Sequence, residues 1–167
     1  MRPDAAAFRD ALSRFASGVT IVTTRCDGEP HGLTVSAFCS LTVEPPRVLV
    51  CLADTTESKP LVARSGVFAV HVLGRASARL GALFARSGTQ SGDPFAGLRT
   101  SSAQTGSPIL EDCLVWLDCR VEASYAAGDH TVFVGAVVAL GRGADHSEPV
   151  VYCERSWRLL DSRPFEP

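Results

Sequence analysis

The chain contains a single lysine, Lys59, and its 167 residues carry a net charge of only −2. Its other positive charges are arginines, scattered rather than clustered. That pattern leaves no basic footprint for nucleic acid and no polybasic patch for a membrane surface. Long apolar runs are also missing. The longest, Val132 to Leu140, is too short to span a bilayer. At the N-terminus, Met1-Arg2-Pro3-Asp4 is followed by Arg9-Asp10 before an apolar core can develop, which argues against a signal peptide and points to the cytoplasm. G-x-G-x-x-G, the Walker A loop, G-x-S-x-G and H-E-x-x-H are all absent, so a doubly wound dinucleotide fold is not expected. Six cysteines are present, at 26, 39, 51, 113, 119 and 153, but no Cys-x-x-Cys and no histidine at ligand spacing beside them. They read as small apolar filler within strands, and no metal is expected.

What remains is the composition of an ordinary globular protein, 46% hydrophobic and 20% charged, sized for one domain over residues 1–167. Asp4 suits an N-cap, with Phe8, Ala11, Leu12 and Phe15 on one helical face and Gly18 as the stop. Val19 to Arg25 is rich in β-branched residues, and Asp27-Gly28 predicts a hairpin turn. Arg47 to Leu52 predicts a strand, Lys59 to Arg64 a short helix, Val67 to Leu73 a strand, and Ser77 to Arg86 a helix. Gly88 to Gly106 lacks periodicity and reads as a long loop. Leu114 to Ala126 and Thr131 to Gly141 predict a long hairpin closed at Ala127-Gly128-Asp129-His130. Val150 to Cys153 and Trp157 to Leu160 complete the chain. Six or seven strands with three short helices predict a mainly β fold, a small antiparallel barrel with helical caps.

Gly32 to Val50, GLTVSAFCSLTVEPPRVLV, carries the sharpest pattern. Leu33, Val35 and Ala37 alternate with Thr34, Ser36 and Phe38, and Glu44-Pro45-Pro46 ends the run. Interleaved hydroxyls (Thr34, Ser36, Ser40) and apolar residues suit either a half-buried strand or the floor of a groove for a flat ligand.

Gly32-Leu33-Thr34-Val35-Ser36-Ala37-Phe38-Cys39-Ser40-Leu41 followed by Pro45-Pro46 resembles the G-x-T-x-S-A-F-x-S-x…P-P signature of the short-chain flavin reductases. These are the small reductase partners of two-component flavin-dependent monooxygenases. The likeness takes in Phe15 to Thr24 and Gly128-Asp129-His130-Thr131-Val132-Phe133-Val134-Gly135, and runs over roughly residues 8–160. It implies a split β-barrel of the FMN-binding type with a Greek-key-like course, assembled as a homodimer. It also implies an NAD(P)H:flavin oxidoreductase that hands diffusible reduced flavin to a monooxygenase.

A flavin needs an apolar slot, donors at its polar edge, and hydroxyls, N–H groups and positive charge at its phosphate. Ala37 and Phe38 suit the slot, and Thr34, Ser36 and the local backbone N–H groups suit the polar edge, with Val35 and Ser40 of the same stretch as further flavin-binding candidates. For the phosphate the best candidate is Ala53-Asp54-Thr55-Thr56-Glu57-Ser58-Lys59, with Ser58 expected to cap the following helix and Lys59 to add charge. A capped surface helix with no ligand would have the same sequence. The resemblance places ribityl and phosphate contacts in this loop, and sets Phe84 and Ala85 beside the flavin, although by pattern Phe84 is a core residue. It points Gly128, Asp129 and His130 at the nicotinamide. Hydride transfer needs two rings stacked about 3–3.5 Å apart more than it needs proton transfer. His130 is therefore expected to position the carboxamide or pyrophosphate, with Asp129 orienting it or only forming the turn. Trp157 is either a cover for the flavin from a partner subunit or a packing anchor. His71 departs from the family's F-A-V-N-V-L, where Asn is usual, and reads as a satisfied core histidine. FAD is preferred to FMN, a choice that turns on room for an adenosine beyond the phosphate loop, and NADH to NADPH, because no acidic residue or arginine can be assigned to the adenosine ribose. A non-catalytic flavin-binding barrel, or an enzyme with flavin as a fixed prosthetic group, are the alternative readings.

Overall fold

Val35 and Phe38 lie at opposite edges of one seven-stranded antiparallel sheet, yet only Ser36 and Ala37 separate them in the chain. This computed structural model describes residues 4–85 and 93–160. Met1 to Pro3, Arg86 at the end of the expected third helix, and residues 88–92 of the expected loop lie outside them.

In chain order the elements are α1 (Ala5–Ser13), β1 (Ser17–Gly18), β2 (Thr20–Cys26), β3 (Glu29–Val35), β4 (Phe38–Thr42), β5 (Arg47–Ala53), α2 (Ser58–Ser65) and β6 (Val67–Val72). Then come α3 (Ala78–Phe84), β7 (Thr100–Ser102), β8 (Pro108–Leu110), β9 (Val115–Ala127), β10 (His130–Arg142), β11 (Val150–Cys153) and β12 (Ser156–Leu159). The large sheet runs β3-β2-β6-β9-β10-β5-β4, beside a three-stranded sheet β1-β11-β12 and the pair β7-β8. Laid flat, seven strands are about 29 Å across. The three steps from Val35 to Phe38 reach at most about 11 Å. The sheet must therefore curl until its edges approach each other. No ladder joins β3 to β4 among the described residues. The result is a barrel split at that seam, as the resemblance implied.

The barrel interior gathers Val22 and Val35 from one edge with Val48, Val50 and Leu52 from the other, around Phe68, Val70 and Phe133. A second core lies outside the wall, where Val19, Ile21 and Leu73 meet Leu80 and Phe84 of α3, together with Phe95 and Leu110. Strand β2 is thus buried on both faces. Its hydroxyls are satisfied locally: Thr20 donates to the Val35 carbonyl at 2.6 Å and Thr23 to that of Pro108 at 2.6 Å. His71, on β6 in the same wall, has no solvent exposure. The Leu110 N–H donates to its Nε2 at 3.0 Å, which leaves Nδ1–H to donate to the Ile21 carbonyl at 3.1 Å. Burial holds it neutral, its pKa lowered to about 4. The expected core histidine is present.

Several expectations need correction. The alternation from Leu33 to Phe38 is not one strand, because the chain bends at Ser36-Ala37 to cross the seam. Gly18 does not stop α1. That helix ends at Ser13 with Arg14 as its C-cap, and Gly18 pairs with Val151 in a strand. Part of the expected loop is strand: β7 pairs with β8, an arrangement that Thr100-Ser101-Ser102 could not announce because it has no apolar alternation. Asp4 does cap α1, accepting from Ala6 N and Ala7 N at 2.8 Å. Cys26, Cys113 and Cys119 are buried as filler, and burial pushes the thiols of Cys113 and Cys119 up to about 12. Cys39 is exposed instead, because it lies on edge strand β4.

Candidate functional site

The end of β5 is where the three segments singled out in the sequence converge. On one side of it Cys51 N–H donates to the Ala37 carbonyl at 2.9 Å and Val50 pairs with Phe38, which brings in the Ser36-Ala37 bend. On the other side Ala53 pairs with His130 and Leu52 with Thr131. The chain then leaves Ala53 through a tight turn, in which the Thr56 N–H and hydroxyl both donate to the Ala53 carbonyl at 3.0 and 2.8 Å. The loop is tied to the hairpin as well, since Asp54 N–H donates to the Asp129 carbonyl at 2.9 Å.

The β9–β10 hairpin turns at Gly128-Asp129. Gly128 has a φ of 68°, the left-handed geometry that a two-residue hairpin turn requires of its first central residue. At its end His130 Nδ1 hydrogen-bonds Asp129 Oδ1 at 2.7 Å, so Asp129 orients the ring as well as forming the turn. This bond to His130 holds the Asp129 carboxyl below its ordinary range. Nε2 makes no hydrogen bond among the described residues. With Nδ1–H directed at Asp129, the neutral ring presents Nε2 as an acceptor.

In the loop, Asp54, Thr55 and Glu57 are exposed, while Ser58 is buried. Ser58 does not cap α2. Glu57 already has helical angles and holds the N-cap place without a side-chain hydrogen bond, which puts Ser58 in the first turn. The leading N–H groups of α2 therefore keep no side-chain cap, and a helix start in that condition suits an anion. Lys59 Nζ lies 3.2 Å from Asp54 Oδ1, so a carboxylate already stands beside this helix start. Asp54 Oδ1 also accepts the Thr131 hydroxyl at 2.9 Å. The Thr131 bond first, and Lys59 second, hold the Asp54 carboxyl below its usual range. Sequence reading passed over Thr131; its place one residue after His130, facing the loop, was the available signal.

The groove residues divide. Ser36, Ala37 and Ser40 are exposed. Val35 turns its side chain into the barrel core and gives its carbonyl to Thr20, so it offers no side-chain surface to a slot. Phe38 is half-buried against the same core. The Thr34 hydroxyl donates to the Gly81 carbonyl at 2.7 Å, which commits its hydrogen to anchoring α3 rather than to a ligand.

Phe84, Ala85 and Trp157 form a second group on the outer side of β3, tied to the rim through Thr34. Phe84 is 4% exposed and meets Phe95 edge to face at 5.1 Å. It lies so close over Gly32 that a Cβ there would stand 2.8 Å from its ring. Ala85 is exposed at the end of α3. Trp157 packs over Gly81 of its own chain, where a Cβ would meet Cη2 at 2.5 Å, which favours the packing-anchor reading. Among the described residues no group of His, Cys, Asp and Glu is placed to hold a metal ion, and no helix is long and apolar enough to cross a membrane.

A family model for the flavin reductase-like domain matches residues 12–160. The chain is 41% identical over 133 residues to the reductase subunit HsaB of a flavin-dependent monooxygenase from Rhodococcus jostii, covering 80% of this chain and 67% of that protein. It is 37% identical over 153 residues to "FMN reductase (NADH) RutF 2" of Rhizobium rhizogenes, covering 92% of this chain and 87% of that one. Among solved structures, nitrilotriacetate monooxygenase component B from Mycobacterium thermoresistibile superposes with a TM-score of 0.88 at 31% identity. That match covers 97% of this chain and 89% of that one.

Proposed function

Because the chain belongs to the flavin reductase-like family, we propose that it oxidises NADH, reduces free flavin, and supplies the reduced flavin to a separate monooxygenase. The observation that carries this reading is the convergence at one end of β5. An uncapped helix start with a lysine, a bend with exposed backbone and hydroxyls, and an oriented histidine meet there. These residues fit a phosphorylated flavin. Ser36, Ala37 and Ser40, with Phe38 behind them, line the ring slot, while Ala53, Asp54, Thr55, Ser58 and Lys59 form the phosphate loop.

His130 and Asp129 lie on the nicotinamide side, with Gly128 shaping the turn. His130 gives its Nδ1–H to Asp129 and keeps Nε2 open for the carboxamide or pyrophosphate of the nicotinamide cofactor. Bound flavin supplies the hydride acceptor; the chain supplies orientation. Thr34 and Phe84 act one step away, by holding α3 against β3, while Trp157 packs over Gly81 of α3 and Ala85 sits exposed at the end of that helix. The loop is exposed at Asp54, Thr55 and Glu57 and so leaves room for an adenosine beyond the phosphate, which supports FAD alongside FMN. An open rim with few charged clamps suits a flavin that departs as product.

The deciding experiment follows NADH absorbance with purified protein and FAD, FMN or no flavin. Oxidation that saturates with added flavin is expected, with NADH well ahead of NADPH. Oxidation independent of added flavin would instead assign a fixed prosthetic group. No oxidation under any of these conditions, with flavin still bound, would reduce the protein to a flavin-binding barrel.

We further propose a homodimer. No residue of α1 is buried; Phe8 and Leu12 on it are each 55% exposed, and Phe15, just beyond its C-cap, is 76% exposed. An apolar stripe of this kind is the mark of a covered surface, and a second copy of the chain is the occupant the family implies. Sedimentation should give a dimer, and Leu12→Glu with Phe15→Glu should shift it to monomer.

A further inference from the structure

The chain's only lysine is engaged within the loop that the proposed function assigns to the flavin phosphate. Lys59 pairs with Asp54, and the same Asp54 oxygen accepts from Thr131 on the strand that begins at His130. A carboxylate at the mouth of an anion site is costly on its own terms, because it repels the anion the site is built to hold. The cost has a use if carboxylate and phosphate compete for one ammonium group. Solvent reaches both partners, 30% of the Lys59 side chain and 41% of Asp54, so their pairing is weak enough to exchange. When Lys59 turns to a phosphate, the Thr131 hydroxyl still donates to Asp54, so the carboxylate keeps a partner.

We propose that Asp54 competes with the flavin phosphate for Lys59, and so is a positioning residue that loosens flavin binding and favours release of the reduced product. The inference rests on the reading of residues 53–59 as the phosphate loop. It explains why a loop suited to an anion includes an acid paired to its single lysine.

The test is equilibrium binding of FMN and of riboflavin, which lacks the phosphate, followed by quenching of flavin fluorescence without nicotinamide. Asp54→Asn should tighten FMN roughly threefold to tenfold and leave riboflavin unchanged. Lys59→Met should abolish the preference for FMN over riboflavin, and Asp54→Asn added to it should recover little of the gain. Asp54→Ser, which keeps a hydroxyl near Thr131, should move FMN in the same direction as Asn. Equal tightening of both flavins, or weaker FMN binding in folded Asp54→Asn and Asp54→Ser, would overturn the competition. Failure of the unaltered protein to bind either flavin would overturn the flavin reading itself, and this inference with it.

Discussion

In the wall of the barrel His71 has both ring nitrogens engaged, one by Ile21 and one by Leu110, and no access to solvent. At the rim His130 has one nitrogen held by Asp129 and the other unengaged among the described residues, with its side chain 43% exposed. The two residues are chemically identical, and their surroundings divide the work. In the wall, every polar atom that is satisfied locks β2, β6 and β8 together. At the rim, one atom left open is what makes a positioning group. A histidine with spare hydrogen-bonding capacity on a supported hairpin is a better functional candidate than a buried one with an anomalous pKa.

The comparison breaks most visibly in stability. His71→Leu strips the buried Leu110 N–H of its acceptor and should cost about 3–4 kcal/mol in denaturant unfolding, with kinetic constants of the folded enzyme unchanged. Acid should reach the same site. The His71 pKa falls from 6.5 to about 4 on folding, so the unfolded chain binds the proton more readily. The corresponding stability, about 3 kcal/mol, is fully present above pH 6.5 and is lost as pH falls toward 4. His71→Asn should flatten the slope in that window. Asp145 acts lower. Burial opposes its ionised form, yet hydrogen bonds from Ser147 and Ser77 outweigh burial and hold it at about 2, so its contribution is lost only between pH 3.8 and 2.

At the rim the effects should be smaller and kinetic. His130→Ala should raise the KM for NADH about fivefold to tenfold, with flavin affinity kept within about twofold and unfolding unchanged within about 0.5 kcal/mol. Unchanged NADH kinetics would remove His130 from the site. Asp129→Asn keeps an acceptor for Nδ1–H and should raise that KM only about twofold.

Much of this was legible in the residues. The β9–β10 hairpin, the Asp27-Gly28 turn and the apolar β5 and β6 announce themselves by period and by turn chemistry, and the motif from Gly32 to Pro46 marks the groove. What was not legible depends on tertiary partners. Strand β7 exists because β8 pairs with it, and nothing in Thr-Ser-Ser requires that. Ser58 looked like a cap until Glu57 took the helical angles ahead of it. Thr34 read as a ligand donor because the Gly81 carbonyl that takes its hydrogen lies 47 residues away. The Ser36-Ala37 bend was hidden inside an unbroken alternation, since a crossing between edges leaves the in-and-out pattern intact.

That bend has a consequence for how the molecule behaves among its neighbours. An open seven-stranded sheet exposes two rows of unpaired N–H and C=O groups, each a template on which another chain can build a fibril. Here the two outermost strands are consecutive, and the two residues between them hold one edge against the other at that end. At that end a stranger meets the crossing before it can add a strand to either edge. The crossing thus hinders self-templated growth at that end of the sheet, and edge strand β3 also carries Pro30, a residue suited to an unpaired edge.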